Sequence, residues 1–131
     1  MTTYLVSLFQ PEGPTPTPEE LDLTQVMADL EVVNDDIRAA GGWVFAGGLA
    51  DPASATTVRA TRGPAHAADA VLTDGPFAEI KEHLGGVSIV QSDDYDVVLG
   101  WARRIAAATG LPVEVRPFQG EGDPGQAPST S

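Results

Sequence analysis

Residues 3–10 alternate so that Tyr4, Val6 and Leu8 fall on one side of an extended strand and Leu5, Ser7 and Phe9 on the other. Both sides are largely apolar, which predicts a central strand covered on both faces. The period then changes. Leu23, Val26, Met27, Leu30, Val33 and Ile37 recur at spacings of three and four, the stripe of an amphipathic helix. Thr17 as cap, Pro18 at the first helical position and Glu20 closing a capping box start it, and Gly41-Gly42 stop it. Before it, Pro14, Pro16 and Pro18 stiffen a loop over residues 11–18, read as a surface connection, a lid or a dimer arm.

Trp43 to Leu49 reads as the second strand, with Trp43 in the core or at an interface. Its Gly47-Gly48 pair marks either an opening for a ligand or a place where a helix sits close. Residues 51–55 form a loop. Ala55 to Arg62 is a third strand, Gly63 to Asp69 a hairpin connection holding His66, and Ala70 to Thr73 the returning strand. Gly86 to Gln91 is the next strand. Ser92 or Asp93 caps a helix whose buried stripe is Val97, Val98, Trp101, Ile105 and Ala108. Gly110 and Pro112 end that helix, and Pro112 to Phe118 is the last strand. The order is strand, helix, strand, two-strand insertion, strand, helix, strand. It predicts an α+β domain with two helices on one face of a sheet, and a second subunit is the natural cover for the other face.

Composition narrows this picture. A chain of 131 residues with 42% apolar side chains suits one domain, placed at residues 1–118, followed by a disordered tail at 119–131 rich in Gly, Pro and Ser. The net charge of −12, with seven basic residues, argues against nucleic acid and against anionic membranes. It favours cationic ligands over anionic ones. Without cysteine there is no disulfide, thiol nucleophile or thiolate metal site. The N-terminal residues show neither a signal peptide nor a long apolar run, which points to the cytoplasm. Asp93, Asp94 and Asp96 lack the spacing of a calcium loop and read as helix capping, so no metal site and no cofactor are predicted.

The densest chemistry lies between Asp74 and Gly86, in Asp-Gly-Pro-Phe-Ala-Glu-Ile-Lys-Glu-His-Leu-Gly-Gly. Asp74-Gly75-Pro76 favours a turn. With Asp74 as N-cap, a helix of about two turns would run to Gly85-Gly86, placing Glu79, Glu82 and His83 on one face and Lys81 on the other. Arg59, on the third strand, is read as a holder of an anionic group, a partner for Asp74 or a plain surface cation.

Val71-Leu72-Thr73-Asp74-Gly75-Pro76-Phe77, followed by Glu79, Lys81-Glu82 and Gly85-Gly86, resembles the DGPF motif of the YCII-related family. Asp93-Asp94, Trp101-Ala102 and Val113-Glu114-Val115-Arg116-Pro117 also sit in that family's order, so the resemblance covers residues 1 to about 118. It implies a ferredoxin-like, dimeric α/β-barrel type of fold with a cleft suggested as an active site. It also implies kinship to proteins without an established activity, a few of them similar to small-ring lyases and dehydrochlorinases and others encoded beside sigma factors. Relatives carry a proposed His–Asp pair with its histidine in the N-terminal half. Here no histidine precedes His66, so that pair does not carry over.

Two functional readings follow. In the first, the chain is a small-molecule lyase or isomerase working by proton transfer near a homodimer interface. Asp74 and His83 are then the acid and base, Glu79 or Glu82 orients the histidine, and Lys81 or Arg59 stabilises charge. In the second, it is a non-catalytic ligand-binding or regulatory module acting with a transcription regulator, where Asp74 caps, Phe77 anchors and Glu79 to Glu82 is surface. The sequence holds no phosphate-binding loop, dinucleotide fingerprint or nucleophile elbow to suggest a third.

Overall fold

The computed structural model describes residues 1–11, 23–76 and 82–120. Its centre is strand β1 (Thr2–Pro11), as the two-sided apolar pattern predicts. β1 lies between β5 (Glu82–Ser92) and β6 (Val113–Pro117), and β2 (Trp43–Gly48) pairs with the outer edge of β5, giving the order β2-β5-β1-β6. All three pairings are antiparallel. Each pair of strands joined through a helix is separated by one strand from the other half of the chain, so the two βαβ halves interleave. The result is an α+β domain with an antiparallel sheet and two main helices, in keeping with a ferredoxin-like fold. A short antiparallel ribbon of β3 (Thr56–Arg59) and β4 (Val71–Asp74) stands as a second sheet in the insertion. Its turns are 3-10 helical at Pro52–Ser54 and Pro64–Asp69 rather than open loops, the first capped by Asp51, whose carboxylate accepts from Ala53 N–H at 3.0 Å.

Both helices pack on one face of the main sheet. Helix α1 (Leu23–Ala39) contributes Val33 and Ile37, and helix α2 (Tyr95–Thr109) contributes Val98, Trp101, Ala102 and Ile105, all buried against Tyr4, Val6 and Val90. The helical period explains this selection, since the named positions are three or four apart. Two predicted stripe members fall outside it: Met27 and Val97 are exposed. Asp29, Asp35 and Asp36 lie on the solvated side of α1, where Asp36 accepts from Arg104 Nη2 of α2 at 2.6 Å.

The helix ends follow local chemistry. Gly41 has φ +75°, its N–H donates to Arg38 O at 3.0 Å, and Gly42 N–H donates to Ile37 O at 2.9 Å, the paired bonds of a Schellman motif. Gly110 ends α2 in the left-handed region. The cap of α2 is Asp94, one or two residues beyond the predicted Ser92 or Asp93. Its carboxylate accepts from Asp96 N–H at 2.9 Å, while Ser92 Oγ accepts from Asp94 N–H at 3.0 Å. The turn that Ser92 makes before the helix moves the cap along the chain. The predicted start of α1 at Thr17, the proline-rich loop from Glu12 on and the tail from residue 121 lie outside the described residues.

One prediction is overturned. Glu82, His83 and Leu84 are not the end of a short helix but the start of β5, four residues earlier than expected. Glu82 pairs with Pro11, His83 with Gln10 and Leu84 with Phe9, whereas Leu8 pairs with Gly86, so Gly85 is the extra residue of a bulge. Ladder bonds to a ten-residue β1 outweigh the local spacing of charged residues.

The face of the sheet away from the helices carries no other element among the described residues. Leu5, Phe9, Val87 and Ile89 are half-buried there, and Phe45 and Leu84 are exposed. Thr3, on the same side of β1, is buried, and its hydroxyl has no hydrogen-bond partner among the described residues.

Candidate functional site

The glycine pairs are the starting point. Gly48 of β2 lies opposite Gly86 of β5, and Gly47 opposite Val87. Two side-chain-free stretches thus run side by side at one end of the sheet, beneath α1. A Cβ on Gly86 would approach Gly47 O at 3.2 Å, whereas one on Gly48 would meet nothing within 4 Å. The missing side chains leave a cleft of about 430 Å³. Its walls are Leu8, Met27, Leu30, Trp43 and Ala46, with Ile105 and Leu111 also in the lining. Volume and lining match a small-molecule site, for which about 300–1,000 Å³ and mostly apolar walls are usual.

Four polar side chains complete it. Glu31, Asn34 and Arg38 project from α1 at positions i, i+3 and i+7, one stripe beside the buried one. Arg38 Nη1 donates to Asp35 Oδ1 at 3.0 Å and to Glu31 Oε1 at 3.3 Å, and its guanidinium carbon sits 4.2 Å from the centre of the Trp43 ring. The arginine is held by two carboxylates and an aromatic face, which fixes the rim. The fourth is Ser88. It lies opposite Val6 and Ala46, so strand alternation turns it towards the helices. Ser88 is 6% exposed and lines the cleft. A hydroxyl there offers both donor and acceptor to a bound molecule. A second, smaller depression of about 280 Å³ between α2 and β6 is lined by Tyr95, Leu99, Ala102, Arg103, Ala106, Val113 and Val115. Among the described residues, no carboxylate lines it.

The residues proposed from the sequence are distributed differently. Asp74 ends β4 opposite Thr56, exposed, and its carboxylate has no partner among the described residues. The bend after it is real: Gly75 has φ +99°, its N–H donates to Ala55 O at 2.7 Å, and its carbonyl accepts from Thr57 Oγ1 at 2.9 Å. Arg59 lies opposite Val71, three positions along the ribbon from the Thr56–Asp74 pair and on its other face. Glu82 and His83, adjacent in a strand, point to opposite sides of the sheet and do not share a face as the helix would have had them do. Phe77, Glu79 and Lys81 lie outside the described residues. Of the Asp74–Gly86 stretch, the cleft takes Gly85 and Gly86, while Asp74, Glu82 and His83 are not among its lining. Among the described residues, no three His, Asp or Glu side chains gather as a metal site.

Sequence reasoning missed Glu31, Asn34, Arg38 and Ser88. The i, i+3, i+7 spacing beside the apolar stripe of α1 was the available signal. Ser88 had none, because a serine in an apolar strand reads as filler until the strand's neighbours are known.

The fold and cleft define a small α+β domain with a half-open, mostly apolar cleft under one helix. The sequence comparisons give it a family. The YCII-related domain matches residues 14–119, and an uncharacterised protein of Rhizobium meliloti (strain 1021) is 32% identical over 129 residues, which is 96% of this chain and 98% of that protein. The chain belongs to the YCII-related domain family. No helix among the described residues is long and apolar enough to cross a membrane.

Proposed function

We propose that this YCII-related domain is a small-molecule-binding module whose ligand occupies the cleft between α1 and the β2–β5 edge. The observation that carries the reading is the glycine floor: Gly48 faces Gly86, and a side chain on Gly48 would enter open space. The apolar walls supply affinity by burial, and Ser88, Asn34 and Glu31 supply orientation. The proton transfer read from the sequence needs Asp74 and His83 beside the bound molecule. The lining contains neither, so binding is the reading adopted over a lyase or isomerase activity.

A homodimer is part of the proposal. Phe45 and Leu84 are exposed on the helix-free face beside half-buried Leu5, Val87 and Ile89, and a second copy of the chain supplies a matching apolar surface.

The test is a ligand-observed NMR screen of a fragment library against the wild type and Gly48→Leu. The leucine enters open space at a residue with ordinary backbone geometry, so the fold is retained while the cleft fills. Hits that bind the wild type and are lost in a folded Gly48→Leu protein are expected. Hits that bind both proteins equally would refute the site.

A further inference from the structure

We propose that the ligand of this cleft is a small apolar amine, bound as its cation by Glu31; the inference rests on the binding reading above and names its chemical class. The argument begins with the charges on the lining, which among the described residues are Glu31 and Arg38. Arg38 is already engaged. Asp35 and Glu31 both accept from its Nη1, at 3.0 and 3.3 Å, and its flat face lies on Trp43. A ligand carboxylate or phosphate that used the donors left on Nη2 and Nε would lie beside the carboxylates of Asp35 and Glu31, whose charge opposes it. Glu31 is in the opposite position. Its Oε1 meets Arg38, while Oε2 has no partner among the described residues. Glu31, Asp35 and Arg38 together carry a formal charge of −1, inside a chain of net charge −12, so the mouth of the cleft favours a cation.

The rest of the lining sets the body of the molecule. Leu30, Trp43 and Ala46 offer apolar contact, and the glycine pairs let a flat group lie against the backbone. Glu31 stands on α1 at the rim, and Ser88 lies buried in β5 on the helix-facing side of the sheet. A ring or short alkyl body spans between them, with its ammonium group at Glu31 and a hydrogen-bonding group at Ser88. Ser88 then pairs with the ligand's polar group, and the ammonium group donates a charge-assisted hydrogen bond to the carboxylate at the rim.

The experiment uses three probes of matched size, tyramine, 4-hydroxyphenylacetate and 2-(4-hydroxyphenyl)ethanol, titrated calorimetrically into the full chain. Tyramine is expected to bind about threefold more tightly than the carboxylate, the scale of an ion pair to an exposed carboxylate. Glu31→Gln is expected to remove the preference, read as the ratio of the amine's affinity to the alcohol's within the same variant. Asp69→Asn makes the same change of net charge on the exposed turn before β4 and is expected to alter nothing. An amine preference that survives Glu31→Gln, or falls equally in Asp69→Asn, overturns the inference in favour of diffuse attraction. A carboxylate that binds as tightly as the amine and is lost in Gly48→Leu overturns the ligand class and keeps the cleft. Binding of all three probes unaffected by Gly48→Leu, or no binding of any, overturns both.

Discussion

Gly42 joins the end of α1 to the start of β2, and replacing it with alanine is the sharpest test of how the domain is put together. A Cβ there would stand 2.5 Å from Trp101 Cη2, 2.9 Å from Cζ3 and 2.8 Å from Gln91 O. Carbon atoms pack comfortably at about 3.5–4.0 Å, so something must retreat by about 1 Å. Neither neighbour retreats easily. Trp101 is 7% exposed at the centre of the core, and Gln91 is held to Gly42 by its own N–H, which donates to Gly42 O at 2.8 Å. Overpacking costs about 1–3 kcal/mol, and straining one backbone hydrogen bond adds about 1. Stiffening of the unfolded chain by the alanine returns about 0.4–1 kcal/mol. The net expectation is a loss of about 2–3 kcal/mol, seen as a fall of about 8–12 °C in Tm for a domain of this size.

The control is the preceding residue. Gly41 has φ +75° but open space around its missing Cβ, so Gly41→Ala meets only the left-handed penalty of about 1–2 kcal/mol, less the same unfolded-state term. Urea denaturation of both variants, with unchanged slope, measures the two losses on one scale. Should Gly41→Ala prove as damaging as Gly42→Ala, or more so, the packing of Trp101 on the α1–β2 corner is wrong.

Three further outcomes are expected. Asp94→Ala removes the cap of α2 and should lower stability by about 1 kcal/mol in urea melts, whereas Asp93→Ala, which is exposed and does not cap, should change little. The Arg104–Asp36 contact joins two half-exposed side chains across α2 and α1, so a double-mutant cycle should give less than about 1 kcal/mol and shrink further in salt. Phe45→Glu places a charge on the helix-free face, and light scattering should show the wild type as a dimer and the variant as a monomer that retains its circular-dichroism spectrum.

Much of this fold is legible in the sequence because local and global preferences agree. Tyr4, Val6 and Leu8 alternate as a strand must, and Gly41-Gly42 and Gly110 stop helices where left-handed residues are needed. Legibility fails where they disagree. Residues 82–84 carry the charge spacing of a helix turn, yet pairing with Phe9, Gln10 and Pro11 makes them a strand, a choice set by a segment more than seventy positions away. The cleft is half legible. Gly47-Gly48 marks either a ligand opening or a close helix, and only the register of β2 on β5 sets it beside Gly85-Gly86 under Glu31, Asn34 and Arg38. The charged residues beside the second glycine pair drew attention to the correct segment through the wrong atoms.

The cleft itself is tested most directly by residue-resolved NMR. Amide and indole resonances of the ¹⁵N-labelled protein are followed as a fragment hit is titrated in. Shifts concentrated at Gly47, Gly48, Gly85, Gly86, Ser88 and the Trp43 indole N–H are the predicted result. Shifts that gather instead around Asp74 and His83, leaving those glycines unmoved, would contradict it.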